Sequence, residues 1–469
     1  MTLDQSLSPL DAAFLYVESD RTPMHMATVA LFEAGPLEDG NGKVRIEELR
    51  RLISSRLDLV PKLRQKAHPG LMHEAPPVWM DDPTFDISQH VRCCRLPEPG
   101  TEQELGRLCG EMLAAPLDRS RPLWELIFVD GLSGHRIALV EKLHHSMADG
   151  LAAAELATVL LDLSPHVEPV DQSSHWVPSA SPSVVQGSAR DLLRLGGLSI
   201  QVAAWGGWTL LHPIRRAQGW LRTGRAIGTL VGPRTIAPRS PLNAQIGPTR
   251  QLHFVRLGLD QVRDVAHFNN ATINDAVLTI VAGGLHELLE RRGDLTADSE
   301  LQALVPVGLE NKKGRGLANK VSAYFVRLPV GVEDPVSVLR EVSLDTKRNK
   351  AQHQELAAGI FLQLLEPLPQ SLLARGAGLI QHQPFFNLIV TNVPGPTIPL
   401  YVLGAKLLEA FPIVPLAGNQ GLGVAALSYE GQLNLGVFSD PTICPDIEAF
   451  RYGARSTFRD LVESCGVGR

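Results

Sequence analysis

The sequence predicts an α/β protein of two domains. Three observations support this: apolar, β-branched runs alternate with amphipathic helical patterns, 469 residues exceed the usual size of one domain, and a Ser/Pro-rich stretch interrupts the patterns at 164–184. Apolar residues make up 44% of the chain and charged residues 20%, which is typical of a protein with a sizeable core. We therefore expect domains at 1–165 and 246–469, joined by a linker segment at 166–245.

In the first half, each element follows from a local pattern. The runs at 26–32 (MATVALF) and 136–143 (RIALVEKL) are apolar and contain β-branched residues, so both predict strands. Residues 47–59 have the spacing of an amphipathic helix. The run at 151–163 has helical spacing too, and Asp149 can accept hydrogen bonds from its first-turn amides.

The second half begins a new series of elements near residue 249, after a second Pro-rich stretch. The predicted elements are a strand at 250–259, a helix from about 274, strands at 301–307 and 320–330, further helices to about 380, a strand at 386–391, and a hairpin of 424–428 with 432–438.

The formal charge of −6 excludes an overall basic field, so no nucleic-acid partner is expected. The charge is unevenly distributed, because residues 190–236 carry seven Arg and one Asp and leave −12 for the rest of the chain. Within this segment, residues 195–214 have no formal charge. The composition suits a helix pair between the domains or a helix in a lipid interface, and only weakly a transmembrane span, given its Gly, Pro and polar residues.

Compartment and redox state also follow from the sequence. The five cysteines have neither C-x-x-C spacing nor the density of a disulfide framework, and residues 1–5 lack the basic and apolar regions of a secretory signal. We expect a cytoplasmic protein.

The feature with most chemical content is the HHxxxDG pattern in residues 141–150 (EKLHHSMADG). Adjacent side chains of a strand point to opposite faces, so one of His144 and His145 should face a cleft while the other packs. A neutral imidazole, with an ordinary pKa near 6.5, can accept a hydroxyl proton and return it to a leaving group. Asp149 can fix a ring or pair with a cation, and Gly150 permits backbone shapes closed to other residues. The pattern predicts acid–base chemistry without a covalent intermediate.

Other interpretations of the motif remain open at this point. The histidines could be ordinary strand-end residues and Asp149 a helix cap. A metal site is not expected, because the motif has no H-x-x-x-H face and no third ligand nearby. A serine hydrolase is not expected either, since the chain contains no G-x-S-x-G elbow.

Further blocks accompany the motif along the chain. They are Leu7–Asp11 (LSPLD), Pro23–His25 (PMH), Pro122–Trp124 (PLW), Asn274–Asp275 (ND) and Asn392–Pro396 (NVPGP). Together and in this order, the sequence resembles the bacterial wax ester synthase/acyl-CoA:diacylglycerol acyltransferase family of the HHxxxDG CoA-dependent acyltransferases. The likeness runs almost end to end, but Gly308-Leu309-Glu310 stands where a Ser-Leu-Arg-like run is expected, which bears on substrate preference.

The resemblance implies a chloramphenicol-acetyltransferase-like or condensation-domain-like sandwich, with mixed sheets in two domains that meet at a tunnel holding the histidine motif. It implies transfer of a long-chain acyl group from acyl-CoA, as co-substrate, to diacylglycerol or a fatty alcohol, with no bound cofactor and no metal. His145 matches the family's general base, with His144, Asp149 and Gly150 completing the motif. Lipid substrates imply peripheral contact with a membrane or lipid droplet.

Each accompanying block has a structural interpretation beside the functional one. The PLW block could start a strand with a core aromatic, the ND block has the spacing of a capping box, and the NVPGP block reads as a rigid turn. Asn274 is also a candidate oxyanion donor. The candidate substrate-binding or site-shaping residues are Pro122, Leu123, Trp124, Asn274, Asp275, Asn392, Pro394 and Gly395.

Three alternative functions stay open. His144 and Asp149 also fit the H-x-x-x-x-D pattern of glycerolipid acyltransferases, in which the first histidine would be the base. Acyl transfer to a polyketide or peptide-derived alcohol would suit the same fold. A lipid-droplet binding protein with a vestigial motif is the alternative without catalysis. These patterns do not fix the oligomeric state.

Overall fold

Two six-stranded sheets form the framework of the molecule. The computed structural model describes residues 7–69, 77–147, 160–166, 176–179, 236–308, 321–351, 382–416 and 418–466. The strands in these ranges are β1 His25–Glu33, β2 Gln65–His68, β3 Val78–Asp81, β4 Val91–Arg95, β5 Trp124–Leu132, β6 Arg136–His144, β7 Gln251–Gly258, β8 Leu301–Gly308, β9 Val321–Leu328, β10 Leu388–Val393, β11 Tyr401–Val402, β12 Ala405–Ile413, β13 Leu422–Tyr429 and β14 Gln432–Ser439. The helices are α1 Pro9–Val17, α2 Ile46–Arg56, α3 Ile87–His90, α4 Glu102–Ala114, α5 Leu259–Phe268, α6 Ile273–Arg292, α7 Pro335–Ala351 and α8 Ile447–Ser464.

The first sheet has the strand order β11-β12-β1-β6-β5-β4. Strand β1 lies inside the sheet and pairs antiparallel with both β12 and β6, whereas β4 and β5 run parallel. Val29 and Phe32 on β1 are both fully buried although they point to opposite faces. A strand covered on both faces reads as a continuous apolar run, which explains the pattern at 26–32.

The second sheet has the order β7-β14-β13-β10-β8-β9. Strand β10 runs parallel to its neighbours β13 and β8, and the other pairs are antiparallel. Both sheets are therefore mixed, and the predicted α/β class with two mixed sheets is confirmed.

The chain crosses between the two sheets more than once. Strands β11 and β12 come late in the sequence, yet β12 pairs with β1 of the first sheet, with Val29 opposite Phe411. The division of the chain into domains at 1–165 and 246–469 stays a prediction. The first sheet takes strands from both of these segments.

The two sheets meet across an apolar layer. Phe411 of the first sheet packs edge-on against Phe254 of the second, with ring centroids 4.7 Å apart. Helix α4 lies directly against β7, because a Cβ at Gly106 would come within 2.2 Å of the Leu252 carbonyl oxygen, and one at Gly110 within 2.1 Å of the Arg250 oxygen. Glycine at these two positions lets the helix backbone approach the strand.

A charged cluster spans the same junction. Arg256 on β7 donates to both oxygens of Glu409 on β12, at 2.6 and 2.8 Å, and to Glu102 at the start of α4, at 3.1 Å. Burial opposes ionisation of this guanidinium, but the two carboxylates raise the pKa of Arg256 above its usual value. The cluster connects β7 of the second sheet to β12 of the first sheet and to α4.

The longest described helix, α6, has 20 residues and packs against α8. None of the helices within the described ranges is both long and apolar enough to cross a membrane. Residues 195–214, for which the sequence left a transmembrane span open, lie outside those ranges, as do the predicted helices at 151–159 and 352–380.

Candidate active site

The histidine motif lies where β6 ends and a short 3₁₀ turn, His145–Met147, begins. Two backbone hydrogen bonds fix this point: the His144 N–H donates to the Leu123 carbonyl at 3.0 Å, and the His145 N–H donates to the Met24 carbonyl at 2.9 Å. The PLW and PMH blocks therefore hold the motif backbone from two sides.

The two motif histidines lie in different surroundings. His144 is completely buried, whereas part of the His145 surface remains accessible. The His145 ring stacks on Phe14 of α1, with centroids 4.6 Å apart and the planes 16° from parallel. Among the described residues, none forms a hydrogen bond with either ring nitrogen of His145.

The hydrogen bonds of His144 define its tautomer. The Ser146 backbone N–H donates to His144 Nδ1 at 3.0 Å, and the Ser146 hydroxyl lies 2.7 Å from the same nitrogen. Nδ1 must offer a lone pair to the backbone N–H, so the ring proton sits on Nε2. That atom faces Glu18 Oε1 at 3.4 Å, slightly beyond normal hydrogen-bond length.

Burial determines the charge state of His145. It lowers the pKa of His145 to about 4, and the neighbouring His144 ring lowers it in the same direction. At neutral pH the imidazole is therefore uncharged and has a lone pair that can accept a proton.

The backbone N–H groups of the first three motif residues are all hydrogen-bonded. The N–H groups of His144, His145 and Ser146 each have a partner: the Leu123 carbonyl, the Met24 carbonyl and the His144 ring. None of these three N–H groups is free to bind an oxyanion.

Glu18 and Arg119 contribute to the site although neither belongs to a sequence motif. The Glu18 side chain is 3% exposed and accepts hydrogen bonds from the Met24 N–H at 3.0 Å and from two Arg119 nitrogens at 3.1 and 2.8 Å. The only signal available was the position of Glu18 between the LSPLD and PMH blocks. A 101-residue separation hides its pairing with Arg119.

The PLW block supports the site from behind. Trp124 opens β5, is fully buried, donates from Nε1 to the Leu63 carbonyl at 2.7 Å, and stacks on His90 at 4.5 Å. Trp124 therefore has the core role that the sequence left open. The Leu123 carbonyl accepts the His144 N–H, and Pro122 lies just before the strand.

The ND block begins α6. Thr272 and Asp275 form a reciprocal capping box, and Asp275 is buried and accepts a further bond from Thr346 Oγ1 at 2.8 Å. Asn274 Nδ2 donates to the Tyr324 hydroxyl at 3.4 Å. No hydrogen bond, ion pair or ring contact between described residues joins this block to His145.

The NVPGP block lies at the end of β10, where the chain leaves the second sheet for β11. The Gly395 N–H donates to Ser428 Oγ at 3.1 Å, and a Cβ at Gly395 would lie 2.0 Å from the Ser428 carbonyl oxygen. Asn392 pairs with Ala426 across β10 and β13, and Pro394 is exposed. The block therefore requires glycine for a close backbone approach.

Several predicted residues lie outside the described ranges. They are Asp149 and Gly150 of the motif, Leu309 and Glu310 of the divergent run, and residues 190–235 of the basic segment.

The sequence matches two domain models of one known protein family. The chain matches the wax ester synthase/diacylglycerol acyltransferase catalytic domain over residues 7–277, and the C-terminal domain of the same family over residues 317–461. The chain belongs to the wax ester synthase/diacylglycerol acyltransferase family. A Mycobacterium tuberculosis relative named as a diacylglycerol O-acyltransferase is 31% identical over 469 residues, which cover 98% of this chain and 90% of the relative.

Solved structures agree with the assigned fold. The wax ester synthase/diacylglycerol acyltransferase from Marinobacter aquaeolei VT8 matches with a TM-score of 0.71 and 23% identity, covering 98% of this chain and all of that one. The starter condensation domain of rhizomide synthetase RzmA matches with a TM-score of 0.52 and 15% identity, covering 98% of this chain and 95% of that one. The resemblance drawn from the motifs is thus confirmed, and the wax ester synthase/diacylglycerol acyltransferase family makes this chain an acyltransferase.

Proposed function

We propose that this enzyme transfers a long-chain acyl group from acyl-CoA to the hydroxyl of diacylglycerol or a fatty alcohol, with His145 as general base. The products are triacylglycerol or wax ester and free CoA. Family membership supports the reaction, and the name of the M. tuberculosis relative supports diacylglycerol as one acceptor. One observation carries the choice of base: of the two motif histidines, His145 is partly accessible, and no described residue forms a hydrogen bond with its ring nitrogens.

In the proposed step, His145 accepts the proton of the acceptor hydroxyl while the hydroxyl oxygen attacks the thioester carbonyl carbon. The tetrahedral intermediate collapses with cleavage of the C–S bond, and the departing CoA thiolate takes its proton either from His145 or from solvent, in which case His145 releases its own proton to solvent. The imidazole thus returns to its neutral form. Holding both substrates in one geometry supplies much of the acceleration, and no metal or bound cofactor is required.

The competing assignment makes His144 the base, as in the H-x-x-x-x-D pattern. His144 is completely buried, its Nδ1 accepts from Ser146, and its Nε2 proton faces Glu18. To act as a base it would have to give up the Ser146 contact and reach a substrate from the core. These contacts favour His145.

The roles of three further residues belong to the proposal. Asp149 holds the motif loop, Gly150 allows its turn, and the side chain of Asn274 is our candidate oxyanion donor. The N–H groups of residues 144–146 are all hydrogen-bonded within the protein, which supports a donor other than these three, since stabilisation of the oxyanion is commonly a large part of such catalysis.

The decisive experiment measures CoA release and ester formation by purified protein with labelled palmitoyl-CoA and either dioleoylglycerol or hexadecanol. We expect His145→Ala to lower turnover by roughly 10² to 10⁴, as loss of a general base does. His267→Ala, at an exposed position of α5, is the matched control and should retain full activity. A folded His145→Ala variant with near-normal turnover would remove the assignment.

The same assay distinguishes the proposed enzyme from the other candidates. A lipid-binding protein would release no CoA, and an enzyme for polyketide or peptide-derived alcohols would turn over neither lipid acceptor. A folded His144→Ala variant that loses all activity, beside an active His145→Ala variant, would establish the H-x-x-x-x-D alternative.

Peripheral membrane or lipid-droplet contact completes the proposal. The acceptor and product partition into lipid, and residues 190–236 combine a net charge of +6 with three tryptophans. Replacement of four arginines by Gln should weaken binding to anionic vesicles, and unchanged binding would argue for a purely structural segment. The four positions are Arg215, Arg216, Arg222 and Arg225.

A further inference from the structure

Glu18 contacts two of the groups that fix the start of the motif, Met24 and the His144 ring. It follows α1, whose Phe14 stacks on His145. Its Oε1 accepts the Met24 N–H at 3.0 Å, and the Met24 carbonyl in turn accepts the His145 N–H at 2.9 Å. The same Oε1 lies 3.4 Å from His144 Nε2. One carboxylate oxygen therefore acts on both motif histidines through separate routes.

The neighbours of Glu18 stabilise its negative charge. Burial raises its pKa, but the His144 ring, the Met24 N–H and Arg119 outweigh burial and lower the pKa of Glu18 to about 2. Arg119 donates to Oε2 through two nitrogens and also to the Leu15 carbonyl at 2.6 Å. The carboxylate is thus ionised at any working pH and fixed on both of its oxygens.

An ionised carboxylate in this place selects one tautomer of His144. It attracts the proton on Nε2, which leaves Nδ1 free to accept the Ser146 N–H at 3.0 Å. If the proton moved to Nδ1, two donors would face each other at that bond. The turn that carries His145 would then lose one of its anchors.

We propose that Glu18 is a positioning residue for acyl transfer: through His144 and Met24 it holds the turn that presents His145 to the substrates. This inference rests on the proposed role of His145 as general base. It concerns the orientation of that base and involves no contact between Glu18 and a substrate.

The test is Glu18→Gln in the full-length enzyme. The amide keeps the size of the side chain, but its NH₂ group must face one of the donors that the carboxylate now accepts from. We expect kcat to fall by about 10- to 100-fold, the usual effect of losing a group that orients a catalytic side chain, with KM for both substrates changed by less than about two-fold. Asp82→Asn is the matched control. Asp82 is equally buried and accepts from Thr84 and Lys66, so the control should leave kcat unchanged.

A double-mutant cycle distinguishes positioning from general stabilisation. In the His145→Ala background, Glu18→Gln should cause no further loss of kcat, because no base remains to be oriented. An equal loss in both backgrounds would overturn the positioning role, as would normal kcat in a folded Glu18→Gln protein. Normal activity of His145→Ala alone would instead refute the proposed base and, with it, this inference.

Two measurements cover the case in which Glu18→Gln does not fold. Arg119→Gln alters a side chain that is 50% exposed, and it should lower kcat several-fold without unfolding the protein. In wild-type protein with ¹⁵N-labelled histidine, the His144 signals, assigned by their loss in His144→Asn, should show a proton on Nε2. A proton on Nδ1 would overturn the inference.

Discussion

The low pKa of His145 makes the acid side of the pH profile the most informative measurement on this enzyme. Burial disfavours the charged imidazolium, so the neutral form persists to lower pH than in an ordinary histidine. The change from 6.5 to about 4 corresponds to about 3 kcal/mol. At pH 5.5 a histidine of ordinary pKa is roughly 90% protonated, whereas His145 should be roughly 3% protonated. We therefore expect acyl transfer to continue almost undiminished down to about pH 5.

The Phe14 ring provides a way to move this limb of the profile. It covers one face of the His145 ring at 4.6 Å, so Phe14→Ala should admit water and raise the pKa of His145 toward 6.5. The acid limb should then rise by about one pH unit. Phe85→Ala is the matched control, because Phe85 stacks on His90 in the same way at 5.1 Å, away from the motif. It should leave the acid limb in place.

The assay follows kcat/KM for hexadecanol at saturating palmitoyl-CoA from pH 4.5 to 8, with the ester quantified directly. This parameter reports ionisations before the alcohol binds, and the alcohol itself does not titrate in this range. Circular dichroism at each pH verifies that the protein is folded. A wild-type acid limb near pH 6.5, or a Phe14→Ala limb that coincides with the wild type, would refute the argument from burial.

Three further predictions concern stability and are measured by urea unfolding. His145 binds a proton in the unfolded chain below pH 6.5 but in the folded chain only near pH 4. The free energy of unfolding should therefore fall by about 3 kcal/mol as the pH is lowered from 6.5 to 4, and this fall should be smaller in His145→Gln. Arg256→Gln should reduce the free energy of unfolding by about 2 kcal/mol, since it removes the cation that pairs with two partly buried carboxylates and leaves Glu409 only the more distant Arg136, while kcat changes little. Gly395→Ala should destabilise by about 2 kcal/mol, because the new methyl group would meet the Ser428 carbonyl.

Elements with a strong local pattern could be predicted from the sequence alone. The strand expected at 26–32 is β1, His25–Glu33, and the one expected at 136–143 is β6, Arg136–His144. The hairpin expected near 424–438 is β13 and β14. In each case a buried strand requires a run of apolar residues, so the position of the strand can be predicted from a few consecutive residues.

The pairing of strands that are distant in the chain is not indicated by any local sequence pattern. Strand β12 has an apolar pattern, but nothing in the pattern states that Phe411 pairs with Val29 rather than with a neighbour in the second sheet. The crossing depends on the turn that follows β10, where Gly395 lies against Ser428. Register across hundreds of residues is set by packing that the local sequence does not encode.

The candidate site also contains both kinds of feature: residues that the sequence identifies and residues that only the fold brings together. The motif itself identified His144 and His145, because adjacent histidines before a turn are chemically conspicuous. Glu18 is an ordinary acidic residue after a helix, and its importance comes from an arginine 101 positions away and from the His144 ring at the end of β6. A reactive group can be recognised by its type, but the groups that orient it are defined by proximity in the fold. Substitutions of Glu18 therefore test the structural part of the mechanism, and substitutions of His145 test the chemical part.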